Sequence, residues 1–140
     1  MDAFDEMTRQ ALGLTCALVD VLDDAVGILR AAGAAFGFLH GSTVRGSRRT
    51  DSDLDVAAWW PASPPAAFEV LLPPGVDLLV LNDAPLELAG RISLEGVLLF
   101  DDDPSARVHW LAQTRTIYFD ERYRIERSHR EFAESLRHGR

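Results

Sequence analysis

Hydrophobic positions along the first half of the chain follow two periods, one typical of helices and one typical of strands. Between Met7 and Ala32 apolar residues recur at helical spacing, which predicts one amphipathic helix ended by a glycine. Three short apolar runs bounded by glycine, proline or Asn-Asp then predict buried strands, at residues 34–40, 53–60 and 75–83. The pattern therefore predicts a long helix followed by three strands.

The second half of the chain returns to the helical period. A helix is predicted over about residues 85–94, followed by a short extended piece, GVLLF, at residues 96–100. A helical C-terminal segment is predicted over about residues 104–138. This order of elements predicts a single domain over residues 1–140 of the α/β (α+β) class, with a small mixed β-sheet flanked by helices.

Composition narrows the class of protein. With 47% hydrophobic and 26% charged residues, the chain is typical of a globular protein with a real core. No apolar run approaches the ~20 residues that a membrane span needs. The acidic start of the chain differs from the basic start of a signal peptide. The lone Cys16 lies in an apolar segment, which favours a buried free thiol, so we expect a cytoplasmic protein.

The net charge of −8 is unevenly distributed. Residues 1–106 carry 6 Arg against 17 acidic residues, a charge of −11, whereas residues 107–140 carry 8 Arg against 5, a charge of +3. The acidic body argues against direct binding to nucleic acid. The basic C-terminal segment could bind a phosphate or an acidic partner, although a solvated helix with internal ion pairs is the simpler interpretation.

The candidate chemistry lies in one segment, GSTVRGSRRTDSDLDV, residues 41–56. Asp53 and Asp55 are two apart in a predicted strand, so both carboxylates point to one face. Two carboxylates this close need a cation, and oxygen ligands beside a phosphate suit Mg²⁺. Gly41 lets the backbone approach a bulky anion, and Ser42 can contact that anion through its hydroxyl or through a following helical turn.

Positive charge and a third carboxylate complete the pattern. Arg45, Arg48 and Arg49 place positive charge within reach of the same phosphates. Asp77 lies in the third predicted strand, where a buried acid is costly unless it has a partner or a role. If that strand lies beside residues 53–60, Asp77 could bind the metal or accept the proton of an incoming hydroxyl. Together these residues predict a nucleoside triphosphate held by Gly-Ser and by metal ions.

Each piece of this pattern also has a simpler interpretation. Asp-x-Asp alone usually marks a solvated edge or turn, and Gly-Ser alone marks a loop. The four fixed positions of G-S-x10-D-x-D would occur together by chance on the order of once per thousand chains of this length. The hypothesis of a nucleotide site therefore rests on their combination. The acidic run at residues 101–103 resembles a set of metal ligands, but a helix start capped by Asp103 before Pro104 explains it better.

Aromatic residues offer a second kind of contact. We expect Trp110 in the core. Because neighbours in a strand alternate between faces, one of Trp59 and Trp60 should face outward, where it could anchor a partner. His40 lies just before the Gly-Ser turn, where packing at the strand end is expected rather than a catalytic role.

These segments resemble the polymerase-β-type nucleotidyltransferase superfamily, and most closely its stand-alone branch, the minimal nucleotidyltransferases (MNT proteins). GSTVRG resembles the family's Gly-Ser-x-x-Arg-Gly segment, SDLDV its Ser-Asp-x-Asp strand, and GVDLLVLNDAP the strand with the third carboxylate. The resemblance implies the nucleotidyltransferase fold. It also implies phosphate contacts at Gly41 and Ser42, metal ligands at Asp53 and Asp55, and the third carboxylate at Asp77.

Many MNT proteins are antitoxins paired with a HEPN-type ribonuclease toxin. The resemblance therefore implies a Mg²⁺-dependent enzyme that transfers AMP from ATP to a tyrosine of such a toxin, within a hetero-oligomer, and so silences it. Two alternatives are an antitoxin that only blocks its partner sterically and an adenylyltransferase for a small molecule such as an aminoglycoside. The short, proline-rich connection before the third strand and the bulky Trp59-Trp60 depart from the family pattern.

Overall fold

The computed structural model describes residues 4–49 and 52–138. The helices in this part of the chain are α1 (Glu6–Leu12), α2 (Cys16–Ala31), α3 (Ser42–Arg45), α4 (Leu86–Glu95) and α5 (Pro104–Arg137). The strands are β1 (Phe36–His40), β2 (Leu54–Trp59), β3 (Val76–Val80) and β4 (Val97–Asp101). No helix in the described ranges is both long enough and apolar enough to cross a membrane.

The N-terminal helical stretch is two helices, so the prediction of a single helix from residue 7 to residue 32 was wrong. Gly13 takes a left-handed conformation at φ 68° and ends α1. The Thr15 side chain then accepts a hydrogen bond from the Leu18 amide and begins α2. The apolar stripe belongs to α2 alone. Cys16 is the exposed first residue of that helix, so the expected burial of its thiol was also wrong.

The strands form one mixed sheet in the order β3-β2-β1-β4. β1 pairs antiparallel with both β2 and β4, whereas β2 and β3 run parallel. The GVLLF piece is therefore a full edge strand, β4, beside β1. A small mixed sheet flanked by helices confirms the predicted fold class. The parallel pairing of β2 with β3 brings together two strands that the sequence places on either side of a proline-rich connection.

Helices cover both faces of the sheet, and each face has its own core. One core joins α2 to the sheet and contains Trp60, which is 2% exposed and donates its indole N–H to the Ala32 carbonyl. The other joins α4 and α5 to the sheet and contains Phe36 and Trp110. Trp59 is half-buried and stacks on Phe36 with 5.2 Å between ring centroids. The prediction that Trp59 or Trp60 faces outward was therefore wrong, whereas the core position of Trp110 is confirmed.

The acidic run at residues 101–103 is a structural feature of the start of α5. The Asp103 side chain accepts a hydrogen bond from the Ala106 amide as the helix cap, and Pro104 occupies the first turn. Asp101 pairs with Arg107 at 2.7 Å, and Asp102 pairs with Arg30 on α2 at 2.9 Å. Each of these carboxylates thus has a structural role, and α5 continues unbroken for 34 residues.

Candidate functional site

Three polar side chains lie in one row across the sheet, where β1 ends and β2 begins. His40 of β1 is the register partner of Asp55 of β2, and Asp55 is the register partner of Asp77 of β3. Register partners on neighbouring strands project to the same face. Asp53 precedes Asp55 by two residues, and its side chain hydrogen-bonds with that of Asp77. The structure therefore brings together the three aspartates that the sequence singled out.

The crowding of these carboxylates changes the protonation of Asp77. The pKa of Asp77 is raised above its usual value, first by loss of hydration around its carboxyl and then by the negative charges of Asp53 and Asp55. A hydrogen bond between the Asp53 and Asp77 side chains acts in the same direction. Because Asp77 is otherwise exposed, a proton or a cation can reach it from solvent.

At the Gly41 turn the backbone lies directly against the side chain of Asp55. Gly41 has φ 79° and ψ −150°, and a Cβ at this position would lie 2.2 Å from Asp55 Oδ2. Any other residue would both be strained and collide with the carboxylate. Ser42 follows as the first residue of α3, a single helical turn that Gly46 ends at φ 75°. The Gly-Ser pair therefore lies beside the carboxylates, as the sequence predicts.

The three arginines of the loop separate in the fold. Arg45 lines a cavity together with Asp55. Arg48 donates a hydrogen bond to the Ser52 carbonyl at 3.0 Å and so ties the two ends of the loop together. Arg49 is exposed, and its backbone amide bonds to the Ser52 hydroxyl. Of the three, Arg45 is the one whose position suits contact with a ligand at Asp55.

The cavity beside Asp55 has a volume of about 210 Å³ and lies between α3 and α4. Four of its lining residues come from α4 and were not predicted from the sequence: Leu88, Arg91, Ile92 and Glu95. Their spacing of i, i+3, i+4 and i+7 places them on one helical face. That spacing was visible in the sequence as an amphipathic helix, but it did not reveal that the face closes a cavity at Asp55.

His40 also lines this cavity, and its ring nitrogen Nε2 is buried without a hydrogen-bond partner among the described residues. Burial lowers the pKa of His40, Arg45 lowers it further, and the charge of Asp55 opposes both effects. The imidazole is therefore favoured in its neutral form, which can donate or accept one hydrogen bond at Nε2. Sequence analysis expected only packing at this position.

The donor set suits a hard cation only in part. Among residues 4–49 and 52–138, no three His, Cys, Asp or Glu side chains form a complete metal site. Mg²⁺ is usually held by one or two carboxylates together with phosphate oxygens and waters, rather than by an all-protein cage. Crowded carboxylates beside the Gly41 turn therefore fit a Mg²⁺ ion that arrives with a nucleotide.

No protein-family model matches the chain, and no curated protein matches it. Solved structures do match. A chain from a toxin–antitoxin crystal structure with AMP-PNP has a TM-score of 0.63 at 18% identity, over 82% of this chain and 97% of that one. A chain from the MntA–HepT toxin–antitoxin structure has a TM-score of 0.58 at 17% identity, over 83% and 96%.

A third match is a chain from a complex of a tri-AMPylated HEPN toxin of Shewanella oneidensis with its MNT antitoxin. Its TM-score is 0.58 at 16% identity, over 83% of this chain and 95% of that one. At these identities the likeness shows a shared fold. The mixed four-stranded sheet with its flanking helices is thus a nucleotidyltransferase-like α+β fold.

Proposed function

We propose that this chain is a minimal nucleotidyltransferase of the polymerase-β type, an antitoxin that transfers AMP from ATP to a tyrosine of a HEPN-type toxin. The observation that carries the proposal is the alignment of Asp55 with Asp77 across β2 and β3, with Gly41 held against Asp55. The shared fold supports it, because the matching structures include a toxin–antitoxin complex with AMP-PNP and an AMPylated HEPN toxin with its MNT antitoxin.

In this proposal each residue has a defined part in the reaction. Asp53 and Asp55 hold Mg²⁺, which when bound offsets the charge of the triphosphate. Gly41 and Ser42 hold the phosphates through their backbone amides and the Ser42 hydroxyl. The tyrosine oxygen forms a bond to the α-phosphorus, the bond from that phosphorus to the bridging oxygen breaks, and pyrophosphate leaves.

In this proposal Asp77 serves the attacking hydroxyl. It either accepts the proton of that hydroxyl or joins the metal ligands. Its position at β3, on the outer side of Asp55, leaves it open to an incoming protein side chain.

The test is transfer of label from ATP labelled at the α-phosphate to a candidate HEPN-type toxin from the same genome, in the presence of Mg²⁺. We expect label on the toxin with the native chain and none with Asp53→Ala/Asp55→Ala. The matched control is Asp20→Ala/Asp24→Ala, which removes two exposed carboxylates from α2, a helix on the other face of the sheet. Label that is absent from all reactions, or equal in all of them, would overturn the proposal.

One observation favours a second candidate, an antitoxin that acts by steric blocking alone. Beyond Tyr118, α5 presents large exposed apolar side chains, including Tyr123, Ile125 and Phe132. Such a surface fits a protein partner. Neutralisation of the toxin in cells by Asp53→Ala/Asp55→Ala, at the abundance of the native chain, would favour this candidate over the catalytic one.

A further inference from the structure

The cavity between α3 and α4 extends from the Gly41 turn and Asp55 to the inner face of α4. We propose that this cavity binds the nucleobase of the donor nucleotide, an inference that rests on the proposed nucleotidyltransferase function. At about 210 Å³ it is smaller than the ~300–1,000 Å³ typical of pockets for whole drug-sized ligands. Its size suits one planar ring system, with the rest of the nucleotide outside.

The walls of the cavity suit a flat aromatic ligand. Val44 of α3 lies on one side, and Leu88 and Ile92 of α4 lie on the other. Apolar side chains on both faces of a base remove its faces from water while its edges stay accessible. Polar groups are available for those edges, because His40, Arg91 and Glu95 line the same cavity.

The buried Nε2 of His40 is the second observation that points to a ligand. A buried polar atom without a partner is costly, and the described residues provide none for it. A base in the adjoining cavity offers both donors and acceptors along its edge, so a small shift of the ring on binding would satisfy Nε2.

The order of the strands favours a nucleobase over an acceptor side chain in this cavity. The sheet runs β3-β2-β1, so Asp77 and the cavity lie on opposite sides of Asp55. In-line displacement requires the attacking oxygen and the leaving pyrophosphate on opposite sides of the α-phosphorus. With Asp77 serving the attacking hydroxyl, the leaving pyrophosphate lies on the Gly41 side of Asp55, which keeps the acceptor tyrosine away from the cavity.

The experiment compares the binding of ATP with that of inorganic tripolyphosphate, both with Mg²⁺, by titration calorimetry on the full chain. Leu88→Trp fills the cavity, and Leu94→Trp is the matched control because Leu94 is an exposed residue of the same helix outside the cavity. We expect Leu88→Trp to weaken ATP binding by about tenfold or more, as for the loss of one base-stacking contact. Tripolyphosphate binding should stay unchanged in both variants.

Each other outcome has a definite meaning. Equal ATP binding by Leu88→Trp and Leu94→Trp overturns the nucleobase assignment, as does an equal loss of ATP and tripolyphosphate. A loss of toxin labelling with unchanged ATP binding overturns it in favour of an acceptor subsite. A native chain that binds neither ligand contradicts the proposed function itself. If thermal unfolding shows that Leu88→Trp is not folded, Val44→Trp fills the cavity from the opposite wall and is judged by the same outcomes.

Discussion

The two sides of Asp55 differ in how much of the site the chain itself provides. On the β1 side, Gly41 is in contact with the carboxylate, and α3 and α4 enclose a cavity. On the β3 side the sheet ends, Asp77 is exposed, and the nearby Phe68 and Leu71 are 84% and 83% exposed. One side is preformed for a small ligand, whereas the other is incomplete.

The exposed side of the site, next to β3, has the features of a surface that binds another protein. Large exposed apolar side chains beside a carboxylate mark a surface that another protein can cover, and an edge strand offers unpaired backbone groups to the same partner. A groove lined by Phe68, Leu71 and Asp77 follows this edge. Under the proposed function, the chain binds the donor nucleotide by itself and the partner completes the acceptor side.

The largest effect is expected at the open side. Asp77→Asn should reduce transfer to the toxin by roughly 10²–10⁴-fold, the usual contribution of a general base. Binding of ATP in the preformed side should change far less, because Asp77 does not line the cavity there. Single-turnover labelling and ATP titration measure the two effects separately. Asp20→Asn on α2 is the control. A loss of ATP binding as large as the loss of transfer would contradict the assignment of Asp77 to the acceptor side.

A change at Gly41 should damage the preformed side. In Gly41→Ala the new Cβ would meet Asp55 Oδ2 at 2.2 Å, so the carboxylate must move. A displacement of about 1 Å in a positioned catalytic group can cost about 10²-fold in rate. Gly46→Ala is the matched control, since Gly46 also has positive φ but no atom within 4 Å of the added Cβ. Labelling rates of the two variants that agree within twofold would contradict this prediction.

The exposed apolar residues beside Asp77 should contribute to the binding of the toxin but not to the binding of ATP. Phe68→Ser/Leu71→Ser is expected to raise the KM for the toxin by roughly tenfold, because two exposed anchors are lost, while ATP affinity is unchanged. Met7→Ser, a change at another exposed apolar residue, is the control. An unchanged KM for the toxin would show that the partner binds elsewhere.

The crowding of the carboxylates also predicts a dependence of stability on pH. Since the pKa of Asp77 is raised in the folded state, that state binds more protons than the unfolded chain at pH values between the ordinary pKa of 3.8 and the raised one. The free energy of unfolding therefore falls as the pH rises through the raised pKa. Metal-free Asp77→Asn should unfold at a higher temperature than the native chain at neutral pH, and this difference should shrink toward pH 3.8.

Thermal unfolding of both proteins over this pH range checks the prediction. The expected gain reflects a carboxylate kept at the site in spite of its cost to the metal-free fold. A difference in unfolding temperature that stays constant with pH would show that the pKa of Asp77 is not raised in the folded state.

The smallest effect concerns the loop arginines. Arg45→Ala should weaken ATP binding several-fold, because Arg45 lines the cavity beside Asp55. Arg49→Ala should leave ATP affinity nearly unchanged, since Arg49 lies outside this cavity. Calorimetric titration of both variants measures the difference. Equal losses of ATP affinity in the two variants would contradict this prediction, because both arginines would then contribute to nucleotide binding.

The sequence pattern predicted most of the elements, because local periodicity reports which face of an element is buried. The predicted strands contain the observed β1, β2 and β3, and the predicted helix over residues 85–94 coincides with α4 to within about one residue. Errors arose where local signals compete. Gly13 ends α1 inside a stretch that was predicted as one helix. Strand alternation puts Trp59 and Trp60 on opposite faces of the sheet, but it could not show that helices cover both of those faces.

The sequence by itself determined that Asp53 and Asp55 share a face and that Gly41 and Ser42 precede them, since strand periodicity and glycine geometry are local properties of the chain. Only the tertiary structure decided that Asp77 lies opposite Asp55, because the register of two strands depends on the packing of the whole sheet. It likewise decided that one face of α4 encloses a cavity at Asp55. Contacts between distant segments are set by the folded chain as a whole, and no local pattern contains them.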